Sequence, residues 1–127
     1  FNELRREALD VVRWNMLHPT EPAKASHVEN CLQGREGPVV AATDYMKIYA
    51  DQIREFIPGH YRVLGTDGFG RSDTREKLRH FFEVDRFYIT VAALKALSEE
   101  GKIPSEQVVQ AMQKYGIDPE KPNPVTV

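Results

Sequence analysis

Two short apolar segments, VVAAT (Val39–Thr43) and YRVLG (Tyr61–Gly65), stand on either side of a helical pattern. Between them Met46, Tyr49, Ile53, Phe56 and Ile57 fall at i, +3, +7, +10 and +11, and Pro58-Gly59 ends the run. A strand, a helix and a strand within about thirty residues form a βαβ unit. Such crossovers are right-handed in about 98% of cases. VVAAT is apolar on both faces and β-branched at its ends, which predicts a central strand of a parallel sheet covered on both sides. The fold class is therefore α/β. Two parallel strands do not make a stable sheet by themselves, so partner strands must come from elsewhere or further strands have escaped notice.

The rest of the pattern is helical. Phe1–Leu17 carries Leu4, Ala8, Val11 and Val12 on one face, and Pro19 stops it near His18. Trp14, Met16 and Leu17 form an apolar cluster at its close, with Trp14 read as packing. Ser26 and Glu29 make a capping box ahead of Val28, Cys31 and Leu32, and Gly34 ends that short helix. Cys31 on this stripe reads as a core residue. Thr43 or Asp44 caps the crossover helix. Asp73 begins DTRE, a second capping-box pattern, and Leu78, Phe81 and Phe82 turn inward behind it.

FYITV (Phe87–Val91) has strand-like composition, but Ile89, Ala92, Ala93, Ala96 and Leu97 keep helical spacing, so Asp85–Glu100 is predicted helical. A last helix starts at Ser105, with Val108, Val109, Met112 and Tyr115 apolar and Gly116 closing it. Asp118–Val127 holds three prolines and reads as an extended tail. Residues 1–127 form one domain. The chain opens directly in helical sequence, FNELRREALD, without an initiator Met. With the shortage of strands, this predicts that an N-terminal part of the domain is absent. An apolar edge and face beside Val39–Thr43 should then lie open to dimerisation or aggregation.

Net charge is −2, which offers nothing to nucleic acid or an anionic membrane. No apolar run approaches the ~20 residues that span a bilayer. A single cysteine excludes an intrachain disulfide and fits a reducing cytosol.

The most distinctive stretch is YRVLGTDGFGRSD (Tyr61–Asp73). Its glycines, Gly65, Gly68 and Gly70, read G-x-x-G-x-G, which is neither the dinucleotide fingerprint nor a phosphate-binding Walker loop. A strand-to-helix turn of this kind can still hold an anion on free backbone amides. The candidate site is Gly68, Gly70, Arg71, Ser72, Asp73 and Thr74, and the ligand class a small anion or nucleotide. Asp67 and Asp73 bracket the loop and oppose that use; the competing reading is a tight turn with a self-satisfied cap. His18, His27, His60 and His80 have no zinc-type spacing, and Ser72 lies in no G-x-S-x-G elbow. The charged run RSDTREKLRH reads as a solvated face or a domain interface. The chain carries no complete active site of its own.

RWNMLHP (Arg13–Pro19), ATDYMK (Ala42–Lys47), YRVLGTDGFGRSDTREKLRHFFEVD (Tyr61–Asp85) and Asn123-Pro124 resemble the C-terminal domain of the homodimeric bacterial pyruvate dehydrogenases. These are the thiamine-diphosphate-dependent decarboxylating components of the pyruvate dehydrogenase complex. The resemblance implies a three-layer α/β/α domain of transketolase C-terminal type. Its sheet has five strands, mixed and mostly parallel, two of which precede the position of Phe1. It implies an oxidoreductase that decarboxylates pyruvate on thiamine diphosphate with Mg²⁺ and acetylates a lipoyl group of the acetyltransferase core. Its partners are the preceding domains and a second copy in a homodimer, and its compartment is the cytoplasm. The cofactor and metal of such enzymes lie between the preceding domains. Their GDG…N metal motif is missing here, since Gly65–Gly68 reads GTDG without the needed Asn. No catalytic, metal or cofactor-binding residue carries over, and the role implied is structural.

Overall fold

The computed structural model describes all 127 residues. In chain order the elements are α1 (Asn2–Leu17), α2 (His27–Leu32), β1 (Val39–Ala42), α3 (Lys47–Asp51), a 3-10 turn (Arg54–Phe56), β2 (Tyr61–Leu64), α4 (Arg75–Phe81), α5 (Arg86–Glu99), α6 (Ser105–Tyr115) and a last 3-10 turn (Pro124–Thr126). The two strands pair in parallel, Val39 with Tyr61 through Ala42 with Leu64, so the crossover is as expected and the fold is α/β. No further strand joins the sheet. The expectation that β1 is covered on both faces is met only in part. Val39–Ala41 are half-buried and Ala42 is exposed: α5 packs on β1 and the main core takes Val39 and Ala41, but the cover is incomplete.

The crossover helix is shorter than its apolar spacing predicts. Thr43 Oγ1 accepts the Tyr45 amide at 3.2 Å, which makes a turn instead of a helix cap. Helix starts only at Lys47, with no side-chain cap, and gives way to the 3-10 turn after Asp51. The buried face is Ala50, Ile53, Phe56 and Ile57; Met46 and Tyr49, read as its first two members, are exposed.

The main core joins Ala8, Val28, Ile53, Phe56, Ile57 and Tyr61, with Leu4, Leu32, Val39, Ala41 and Val63 packed against it. Tyr61 is its polar keystone. Its hydroxyl donates to the Ala50 carbonyl at 2.6 Å in a buried setting, and burial pushes the phenol pKa up. Arg54 Nη1 donates to the Tyr61 carbonyl at 2.7 Å, and Arg5 Nη1 donates to the Gln52 carbonyl at 2.7 Å. Strand, crossover and first helix are thereby tied together.

Ser26 forms the expected capping box and is fully buried. Cys31, however, is exposed, with Sγ 3.4 Å from His27 Nε2. In so short a helix Val28 and Leu32, one turn apart, take the core-facing position and leave Cys31 on the flank. The apolar close of α1 also stays outside. Met16 and Leu17 are exposed, while Trp14 stacks on His18 at 4.2 Å with Lys24 Nζ 3.8 Å from the ring centroid.

Asp85 caps α5 by accepting the Phe87 and Tyr88 amides at 3.1 and 3.0 Å, so helical spacing prevails over the strand-like composition of FYITV. Gly116 ends α6 in the left-handed conformation, as its place predicts, but Val109 faces solvent. The tail is not extended to its end. Asn123 Oδ1 accepts the Val125 amide at 3.0 Å, and the resulting turn buries Pro124.

If the Tyr61 bond supports this arrangement, Tyr61→Phe should lower unfolding stability by about 1–3 kcal/mol, because the Ala50 carbonyl is left buried without its donor. Tyr61→Ala should cost about 3–5 kcal/mol through the added cavity. Urea titration followed by circular dichroism separates the two.

Candidate functional site

The glycine loop leaves β2 under two close approaches. A Cβ on Gly65 would stand 2.7 Å from the Tyr45 carbonyl oxygen and 2.9 Å from the Lys47 amide. The same contact is sealed by the Thr66 amide donating to the Tyr45 carbonyl at 2.8 Å and by Asp67 Oδ1 accepting the Lys47 amide at 3.2 Å. Gly68 has φ +105°, and a Cβ there would stand 2.8 Å from the Pro124 carbonyl oxygen. Gly65 therefore admits the β1–α3 connection and Gly68 admits the C-terminal turn. Gly70 has open space around it and no left-handed φ.

Beyond the loop, Asp73 Oδ1 accepts the Thr74 amide at 2.7 Å, and Thr74 Oγ1 accepts the Lys77 amide at 3.4 Å. Thr74 is thus the N-cap of α4, one residue later than the DTRE pattern predicts, and Glu76 closes no box with Asp73. Asp73 is drawn off by the adjacent amide. Part of the proposed anion cradle is therefore already satisfied from within.

The loop does border a cavity of about 320 Å³, lined by Asp44, Thr66, Gly68, Gly70, Arg71, Arg75, Leu78, Arg79 and Phe82. Of the six candidate residues, Gly68, Gly70 and Arg71 reach it; Ser72, Asp73 and Thr74 do not. Arg79 binds Asp44 through Nη2–Oδ2 at 2.8 Å and Nε–Oδ1 at 3.3 Å. The hydrogen bond from Arg79 holds the Asp44 carboxyl below its ordinary range, and Arg75 adds to this from farther off. Arg71 lies over the Phe81 ring, with Cζ 4.1 Å from its centroid. Asp44, Arg75 and Arg79 are site residues that reading the loop alone overlooks. The signal for Arg75 and Arg79 is their spacing of four, which places both on one face of α4, while Arg71 comes from the loop before it.

A second, open cleft of about 1350 Å³ lies between the end of β1, α4, the start of α5 and Lys121. It contains His80, whose Nδ1 is 3.1 Å from Asp85 Oδ2. Asp85 is also the cap of α5, which explains the pairing structurally. Burial and the nearby Glu83, Asp85 and Asp118 carboxylates push the Tyr88 phenol up to about 12, so it stays neutral at ordinary pH. The other histidines have separate partners: His18 the Trp14 carbonyl, His27 Cys31, and His60 Glu99 and Glu100. No three His, Cys, Asp or Glu side chains gather into a metal-binding set.

Two tests follow from this geometry. Gly65→Ala and Gly68→Ala should each destabilise the chain, because backbone atoms meet the new Cβ. Gly70→Ala should be neutral or stabilising by up to about 1 kcal/mol; thermal melts of the three variants check the order. The Asp44–Arg79 pair is largely exposed, so Asp44→Asn should cost less than about 1 kcal/mol near neutral pH. The depressed carboxyl makes that contribution complete above the ordinary Asp value of about 3.9 and lost as pH falls through the lower folded value. The gap between wild type and Asp44→Asn, read from denaturation curves, should therefore close on acidification below about pH 4.

Comparison with known proteins places these features. A family model described as the transketolase-like C-terminal domain matches residues 2–85, from α1 through α4. The pyruvate dehydrogenase E1 component of Cupriavidus necator is 61% identical over 127 residues, all of this chain and 14% of that protein. That of Pseudomonas aeruginosa is 62% identical over 126 residues, 98% of this chain and 14% of its own length. That of Escherichia coli K12 is 50% identical over 125 residues, again 98% of this chain and 14% of its own length. The similarity to E1 components thus runs on through α5, α6 and the C-terminal turn, beyond the family match. The chain spans about 14% of the length of these relatives. From Asn2 through the β1–α3–β2 crossover to the glycine turn and Asp85, the chain belongs to the transketolase-like C-terminal domain family.

Proposed function

We propose that the chain is the C-terminal assembly domain of a pyruvate dehydrogenase E1 enzyme. The observation that carries this reading is 61% identity to such a component across the whole chain. In this reading the complete enzyme is a cytoplasmic homodimer. It decarboxylates pyruvate on thiamine diphosphate with Mg²⁺ and passes the acetyl group to a lipoyl arm of the acetyltransferase core. The residues of this chain do not fit either bound group. They offer no three-ligand set for Mg²⁺, and their three clustered arginines border a cavity that no metal-binding set adjoins. No step of the reaction is therefore assigned to them. No helix is long and apolar enough to cross a membrane.

What the chain contributes is surface and support. Leu9, Val12 and Met16 stand three and four residues apart on α1 and are exposed. Tyr45, Met46, Ile48 and Tyr49 form a second exposed apolar group at the start of the crossover. The Val39 amide donates to the His60 carbonyl just before β2 and the Thr43 amide to that of Leu64, which turns the Val40 and Ala42 backbone groups to the outer edge of the sheet. Strands from the rest of the enzyme complete the sheet there, and neighbouring domains or the second subunit cover the apolar groups. Residues 1–127 then form one domain whose remaining strands lie upstream.

The complete protein containing this chain should decarboxylate pyruvate when given thiamine diphosphate and Mg²⁺. The isolated chain should show neither turnover nor cofactor binding by calorimetry. Saturable micromolar binding of the cofactor to the isolated chain would sink the structural reading. Met16→Asp should change the stability of the isolated chain by no more than about 0.5 kcal/mol, since Met16 is exposed there. It should lower the melting temperature of the complete enzyme, where the face is covered.

A further inference from the structure

We propose that the cavity between the Gly68–Arg71 loop and α4 binds a small dianionic oxyanion, a phosphate monoester or a dicarboxylate, through Arg71, Arg75 and Arg79. This site lies outside the chemistry assigned to the complete enzyme, and its case rests on the charge and shape of the cavity.

The lining holds three cations and one anion: Arg71, Arg75 and Arg79 against Asp44, a net of +2. Asp44 is committed to Arg79 by a two-point contact. Arg75 makes no hydrogen bond or ion pair. It also occupies the first position of α4, where the helix dipole disfavours a cation. Helix stability therefore does not account for its presence. Arg71 holds its guanidinium carbon 4.1 Å from the Phe81 ring centroid and makes no ion pair, so its N–H groups have no carboxylate of this chain as partner. Paired guanidinium forks suit the planar, multi-point recognition of carboxylate and phosphate.

The two carboxylates that oppose an anion in the linear sequence are held elsewhere. Asp67 takes the Lys47 amide, Asp73 takes the Thr74 amide, and neither lines the cavity. Leu78 and Phe82 supply the apolar part of an otherwise open, solvent-accessible wall, and Thr66 completes the lining. The volume, about 320 Å³, suits a small metabolite. The glycines play a passive part here, leaving the mouth unobstructed by side chains.

The test uses the complete protein, with inorganic phosphate and malonate as probes and chloride at matched ionic strength as control. Hydrogen exchange read by mass spectrometry over peptides spanning Thr66–Phe82 should slow saturably with one or both probes and not with chloride. Protection by phosphate alone assigns a phosphate monoester; protection by malonate alone assigns a dicarboxylate. Arg75→Gln and Arg71→Gln should each raise the half-saturating concentration about tenfold or more. Neither residue makes an ion pair, so native exchange elsewhere in the variants should be retained. The proposal is overturned if neither probe changes exchange in these peptides. It is equally overturned if the double variant is protected as well as the wild type, or if the arginines prove to be filled by a carboxylate of a neighbouring domain.

Discussion

The parallel pairing of β1 and β2 depends on Tyr61. Two four-residue strands bring too few backbone hydrogen bonds to hold their own register, and a parallel pair is joined only through its crossover. Tyr61 ties these parts together. It begins β2, its ring enters the main core beside Ile53, Phe56 and Ile57, and its hydroxyl satisfies the Ala50 carbonyl where α3 is giving way to looser turns. Arg54, from the 3-10 turn, then binds the Tyr61 carbonyl at the outer side of the strand. The helical break that shortens α3 is what brings Arg54 into this position. An uninterrupted helix would place its side chains on a different schedule.

From that centre the remaining connections can be traced outward. The β1–α3 link is pressed against Gly65 at the end of β2, and the C-terminal turn is pressed against Gly68 three residues later. One loop therefore receives both the crossover and the chain terminus. Lys121 reinforces the second contact by donating to the Phe81 carbonyl and pairing with Glu83. The loop is tight because two other pieces of backbone share its space, and a ligand is not needed to explain Gly65 or Gly68.

Much of the architecture was readable in the sequence where a strong local signal coincided with the tertiary demand. The Ser26 capping box, the Gly116 stop, the helix in FYITV and the parallel crossover are of this kind. The misjudged positions share a different cause. Cys31, Val109, Val12 and Met46 satisfy helical periodicity, but periodicity fixes which residues share a face and not how much of that face finds a neighbour. Only 14 of 127 residues are buried, so many apolar positions have nothing from this chain to pack on. At the candidate site the loop glycines were legible, but Asp44 was not. It reaches the cavity from the far end of β1, thirty-five residues before its partner Arg79. The orientation of Asp67 and Asp73 was equally hidden, since spacing shows a carboxylate's neighbours along the chain but not which amide it takes.

This distinction between proximity and pairing decides how α4 is understood. RSDTREKLRH has mixed sign and reads as a solvated face or a domain interface. Folding separates the signs: Asp73 turns to the backbone, and Arg71, Arg75 and Arg79 converge on one cavity with a single carboxylate among them. Two arginines four residues apart on a helix repel by about 0.2–0.5 kcal/mol. Asp44 offsets this by a direct pair with Arg79 and reaches Arg75 only through the longer-range charge interaction. An anion arriving from outside the domain, as proposed for this cavity, would relieve an arrangement that local helix energetics disfavours.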